Sequence, residues 1–202
     1  MKNKTQNDPF KTHCWAFTVV TDPYQVFAEC FVFTDIGSYR KTIRQVLLSA
    51  ARNKVHKKES PASVLDLFKA IHSVMLAARA LYRQNKTSEL QLKPEQFMDK
   101  RLYTRPGAAF AEWEYLPKTL SKKEYQNPYL VFHRFFKYQN TEAWQQSMEQ
   151  VLSNAFSGYA SDHTLHLLNL YLHLTRLMEA AHLIDVREVL HVDGDLKPGP
   201  TC

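Results

Sequence analysis

Apolar side chains recur along this chain at helical spacing, and the same spacing returns about a hundred residues later. Tyr39, Ile43, Val46, Leu47 and Ala50 fall at i, i+4, i+7, i+8 and i+11, and Trp144, Met148, Val151, Leu152 and Ala155 fall at the same steps. Both sets trace one face of an amphipathic helix. Upstream, Val26, Phe27, Cys30 and Phe31 correspond to Val131, Phe132, Phe135 and Phe136. Asp22-Pro23 and Asn127-Pro128 precede them, and each pair reads as an N-cap followed by proline at the first helical position, where the missing N–H costs nothing. A strand over Gln25 to Phe33 is the competing reading, since Val and Phe favour sheets. Its partner segment, Leu130 to Lys137, alternates too poorly for a strand, so the helix is preferred. A third helix starts near Ser60-Pro61, with Val64, Leu67, Phe68, Ile71, Val74, Met75, Ala78, Leu81 and Tyr82 in one stripe. Its counterpart starts near Ser161-Asp162, with Leu167, Leu170, Tyr171, Leu174, Leu177, Met178 and Ala181 in the equivalent places.

Alignment turns this periodicity into a duplication. Residues 22–52 set against 127–157 at an offset of 105 give nine identities in 31 positions, where average composition gives roughly two. A second block matches at an offset of 103, with Leu65, Leu67, Met75, Ala77 and Ala78 facing Leu168, Leu170, Met178, Ala180 and Ala181. The expected fold is therefore all-α: a helical bundle built from two tandem three-helix repeats related by pseudo-twofold symmetry. One half should pack Phe27, Phe31, Tyr39, Ile43, Leu47 and Phe68, the other Phe132, Phe136, Trp144, Met148, Leu152 and Tyr171. The expected divisions are an N-terminal segment (1–21), repeat 1 (22–85), an aromatic-rich crossover (86–126), repeat 2 (127–191) and a flexible tail (192–202). The crossover carries Phe97, Tyr103, Phe110, Trp113 and Tyr115, too aromatic for a floppy linker. It is expected to lie on the bundle with a short helix near Pro94 to Tyr103.

Charge separates the two halves. Residues 1–105 hold 18 Lys and Arg against 9 Asp and Glu, and residues 106–202 hold 8 against 11. Most of the excess lies in one run, Arg40, Lys41, Arg44, Arg52, Lys54, Lys57 and Lys58, opposed only by Glu59. Such a run attracts phosphate or an acidic partner, although no recognition-helix turn or RNP pattern accompanies it. The most apolar stretch, Leu165 to Ile184, contains His166, His173, Arg176, Glu179 and His182, so no membrane span is expected. Met1 to Pro9 lack the apolar run of a signal peptide. The odd set Cys14, Cys30 and Cys202 suits a reducing, cytoplasmic setting, with Cys30 as core filler.

Candidate chemistry concentrates on the last helix. His166, Asn169, His173 and Arg176 form a polar strip, and His166 and His173 are read as candidate binding residues. His166 and His173 stand two turns apart, too far to share a metal unaided, and His163 with His166 lacks a third ligand, so no metal and no cofactor is expected. Glu179-x-x-His182 and Glu188-x-x-His191 have the form used by di-iron bundles, but both lie on one helical pattern rather than on two helices. Arg176-x5-His182 resembles the Arg-x4-6-His signature of the HEPN family of all-α ribonucleases and nucleotide-binding modules. That resemblance implies that Arg176 positions a phosphate and His182 acts as acid or base, with Glu179 beside it. The residue after the arginine is Leu177, where the family has a polar side chain. Ser73 and Arg79 replace the pair in the first repeat. The alternative for Arg176 is an i+3 ion pair with Glu179.

Phosphate loops, nucleophile elbows and Cys/His nucleophile pairs do not occur in the sequence. The expected function is a non-enzymatic intracellular interaction module whose macromolecular partner is unknown, a protein ahead of a nucleic acid. Nucleic-acid binding through the basic first repeat is the alternative, and a HEPN-like ribonuclease the third reading.

Overall fold

The computed structural model describes residues 22–52, 54–88, 92–105, 111–157, 166–189, 191–192 and 195–196. Within them the chain is helical: α1 (Pro23–Phe33), α2 (Ile36–Ala51), α3 (Pro61–Arg83), α4 (Lys122–Gln126), α5 (Tyr129–Tyr138), α6 (Thr141–Ser157) and α7 (Leu167–Glu188). The two longest helices, α3 and α7, touch each other and form the spine. Helix α1 packs on both of them, and so does α5. Helix α2 lies on α6 and α7, while α6 lies on α2 and α3.

Local chemistry explains most of the boundaries. Asp22 accepts from the N–H of Tyr24 at 2.9 Å with Pro23 at the first helical position. Asp35 caps α2 through Ser38 N–H at 3.0 Å, Ser60 caps α3 through Ser63 N–H at 3.1 Å, and Asn140 takes Ala143 N–H at 2.8 Å to start α6. Asn85, in the left-handed region at φ 51°, stops α3. Helix α4 opens with a reciprocal Ser121/Glu124 capping box.

Asn127 is not the expected cap. Its amide turns to the crossover instead, accepting from Ser88 N–H at 3.4 Å and donating to Thr87 Oγ1 at 2.7 Å, and α5 starts after Pro128 without a side-chain cap. The crossover likewise departs from expectation, with 3-10 turns at Pro94–Gln96, Lys100–Leu102 and Glu112–Glu114 in place of a short helix. Beyond α7, where a frayed end was expected, His191–Val192 pair antiparallel with Asp195–Leu196. The expected start of the last helix at Ser161-Asp162 lies outside the described residues, as do His163, Cys14 and Cys202.

The core is continuous. Phe27, Tyr39, Ile43, Phe132, Phe135 and Trp144 are enclosed, whereas Phe31, Phe136, Leu152 and Tyr171 are half-buried at its edge. Phe135 takes the place expected for Phe136, stacking on Trp144 at 4.1 Å. Tyr39 donates its hydroxyl to Cys30 O at 3.0 Å, and Trp144 donates Nε1 to Phe135 O at 3.2 Å. Cys30 is buried, its thiol directed to Ala70 O. Where α1 meets α5, the hydroxyls of Tyr24 and Tyr129 lie 3.1 Å apart and the rings of Phe27 and Phe132 lie 6.3 Å apart.

Candidate functional site

Helix α7 carries a polar residue every three positions, Arg176, Glu179, His182 and Asp185, and all four reach the crossover or the short helix that ends it. Glu179 is fully enclosed and accepts from Arg40 Nε at 2.8 Å, from the N–H groups of Lys118 and Thr119 at 2.8 and 2.9 Å, and from Thr119 Oγ1 at 2.6 Å. The same Arg40 donates to Glu114 O at 2.6 Å and Leu116 O at 2.9 Å. His182 Nε2 lies 3.0 Å from Tyr103 O, with the ring between Phe31 and Tyr115; facing a carbonyl, that nitrogen is the one that donates. Asp185 pairs with Arg105.

Arg176 does not pair with Glu179. It donates to Glu124 at 2.8 Å, and that carboxylate also accepts from Arg134 at 2.8 Å and from the N–H and hydroxyl of Ser121. Burial alone would raise the Glu124 pKa, but the Ser121 hydrogen bonds and the two guanidinium groups outweigh it and lower the value. Arg187 continues the series, donating to Leu102 O and Tyr125 O at 2.8 and 2.6 Å. Tyr129 donates to Glu188 at 2.5 Å, and burial with that carboxylate raises its pKa. The residues singled out for acid–base chemistry thus hold a segment of their own chain against the bundle.

The two histidines of the polar strip separate. His166 is exposed just ahead of α7, while His173 stacks on Tyr138 at 4.3 Å with Phe135 and Trp144 at its edges. Burial, then Arg176, lowers the His173 pKa. Among the described residues no three His, Cys, Asp or Glu side chains are placed to hold a metal ion.

The basic run divides differently. Arg40 leaves it for the interior, because its partner Glu179 lies 139 residues away in sequence and out of reach of any local pattern. Lys41 and Arg44 on α2 and Arg52, Lys54, Lys57 and Lys58 after it are all exposed. Between them His56 is buried and pins the loop. Its Nδ1 lies 3.2 Å from Ser49 Oγ, its Nε2 3.2 Å from Glu59 Oε2, and its N–H donates to Ala155 O at 2.7 Å. Glu59, the carboxylate that follows the run, is half-buried and held by His56 and Thr42.

Ser49, His56 and Glu59 stand in the order of a catalytic triad, which the sequence did not reveal. Ser49, however, is back-bonded to Gln45 O at 3.0 Å within α2, the ordinary behaviour of a helical serine, and the histidine beside it is an anchor. A second unanticipated group joins α3 to α5: Tyr82 lies 5.5 Å from Phe136 and 6.0 Å from His133. Arg79 beside it bonds Thr141 and lies 3.6 Å from Glu142. Tyr82 was legible only as the last member of a core stripe, yet it is 37% exposed beside buried Leu81.

Comparison of the chain with known protein families, curated proteins and solved structures gives no match. No helix among the described residues is long and apolar enough to cross a membrane.

Proposed function

We propose that the protein is a non-enzymatic, cytoplasmic interaction module made of two tandem three-helix units about a pseudo-twofold axis. The duplication is supported by pairs 105 residues apart. Tyr39 and Trp144 bond Cys30 O and Phe135 O in the same way, Asp35 and Asn140 cap in the same way, and Tyr24 meets Tyr129 as Phe27 meets Phe132. The observation that carries the binding function is the cationic strip: six exposed Lys and Arg side chains on α2 and its following loop, with the neighbouring carboxylate, Glu59, engaged by His56. An acidic surface on a partner protein complements it. An enzymatic reading would first require Arg176, Glu179 and His182 to release the crossover.

Capture from native lysate with the wild type and with a Lys41→Glu, Arg44→Glu, Lys57→Glu, Lys58→Glu variant tests this. A partner retained by the first and lost by the second is expected; equal capture by both sinks the strip as the binding face.

Nucleic acid is the second reading, favoured by the length of the strip. Lys41 to Arg52 spans roughly 17 Å along α2, over which one strand of a duplex presents about five phosphates. The apparent affinity for a mixed-sequence duplex would then fall with a log–log salt slope of about −3 to −5, and no binding at low salt would dispose of it.

A further inference from the structure

We propose that the face between α3 and α5 is a docking groove for an acidic segment of a partner protein that also carries aromatic side chains. The inference rests on the tandem reading above, which sets Arg79 at the place of His182, Tyr82 at that of Asp185, and Phe136 at that of Phe31.

On the α1–α7 side those places hold the crossover. His182 faces Tyr103 O, Asp185 pairs with Arg105, and Tyr115 stacks over the His182 ring beside Phe31. The bundle therefore already shows what such a groove accepts: backbone of the crossover around Tyr103–Arg105 and at Tyr115, which bring a carbonyl, a complementary charge and a ring.

On the α3–α5 side, the described residues bring no crossover to the equivalent places; there Arg79 meets the first turn of α6 through Thr141 and Glu142. Tyr82 is 37% exposed, and Arg83, His133 and Lys137 are exposed around it. The charges have also changed sign. Where the crossover groove offers Glu179 and Asp185 among its cations, this one offers Leu76 and Tyr82. Helix α5 adds His133 and Lys137 where α1 has Ala28 and Val32. Glu142, beside Arg79, is the carboxylate that meets the cluster, and it lies at the edge with its side chain 69% exposed. The complement of this surface is carboxylate flanking an aromatic ring, the ring resting on Tyr82 and Phe136 and the acids meeting Arg79, Arg83 and Lys137.

The test uses the full chain and a fluorescein-labelled decapeptide alternating glutamate with tyrosine, read by anisotropy. The Gln–Tyr peptide of equal length and an oligothymidylate are the controls. The Glu–Tyr peptide should bind at least about tenfold tighter than the Gln–Tyr peptide. Tyr82→Ala, and separately Arg83→Glu with Lys137→Glu, should each weaken it about tenfold or more at unchanged melting temperature. Lys57→Glu with Lys58→Glu reports any binding of the peptide at the cationic strip, and exposed Lys93→Glu, outside both surfaces, should leave the affinity unchanged. Wild-type affinity in the groove variants overturns the proposal, as does preferential capture of oligothymidylate at this face. Closure of the face against a second copy, seen as a Tyr82-dependent dimer by ultracentrifugation, overturns it too. If only the strip variants lose binding, the groove falls while the interaction module stands; if neither surface binds any macromolecule, both fall.

Discussion

Glu179 is the residue on which most of the crossover depends. It collects four donors from Arg40, Lys118 and Thr119 with no exposure to water, so Glu179→Ala leaves a buried guanidinium without its counter-ion. The expected loss is about 3–5 kcal/mol in urea unfolding, with much of it recovered in Arg40→Met, Glu179→Leu; a loss below about 1 kcal/mol would mean water already reaches the pair. His173 gives a pH signature. Burial among Tyr138, Phe135 and Trp144, with Arg176 nearby, holds its imidazole below the ordinary 6.5. As pH falls the unfolded chain takes up the proton first, so the stability linked to the neutral ring is complete above about pH 6.5 and declines below it. His173→Phe should flatten the fall of the urea midpoint between about pH 7 and pH 5, and an unchanged slope would show that the ring titrates as in water. Neither feature was legible in the sequence: Arg40 read as one cation among seven, and only a helix 139 positions away reveals it as structural.

Helices, by contrast, were largely legible, because periodicity and caps are local. The apolar stripes of α2 and α6 and the caps Asp22 and Ser60 stand where spacing and side-chain chemistry put them. The sequence failed where a long-range partner competed for a local group, as when Asn127 gave its amide to Ser88 and Thr87 instead of to its own helix. The 3-10 turns of the crossover lacked a stripe long enough to read. Asp35 and Asn140 cap α2 and α6 through the same hydrogen bond to the third residue on. Each Ala substitution should cost about 1 kcal/mol, and the double variant about 2 kcal/mol, since the two caps share no partner. A strongly non-additive double variant would show that the two helix starts are coupled.

Across the whole molecule, the two halves share one core. Helix α2 packs on α6 and α7, α6 packs on α3, and Phe27 meets Phe132. A fragment comprising residues 1–105 therefore loses the surfaces that cover Ile43, Val46 and Leu47, and it should give no cooperative thermal transition by circular dichroism. A cooperative melt of the fragment would show that each unit closes its own core. The charge asymmetry between halves, read from composition, survives on the surface through the exposed lysines and arginines of the strip, whereas the groove at α3–α5 was hidden because its members come from different halves.

The ion pair between Arg40 and Glu179 also sets a clock on biogenesis. The ribosome adds about 5–20 residues per second, so a separation of 139 positions means that Arg40 waits roughly 7 to 28 s for its carboxylate. Until α6 and then α7 have emerged the apolar face of α2 is not fully covered, and the crossover, once made, has no anchor on α7, which makes the nascent first half a natural client for a holding chaperone.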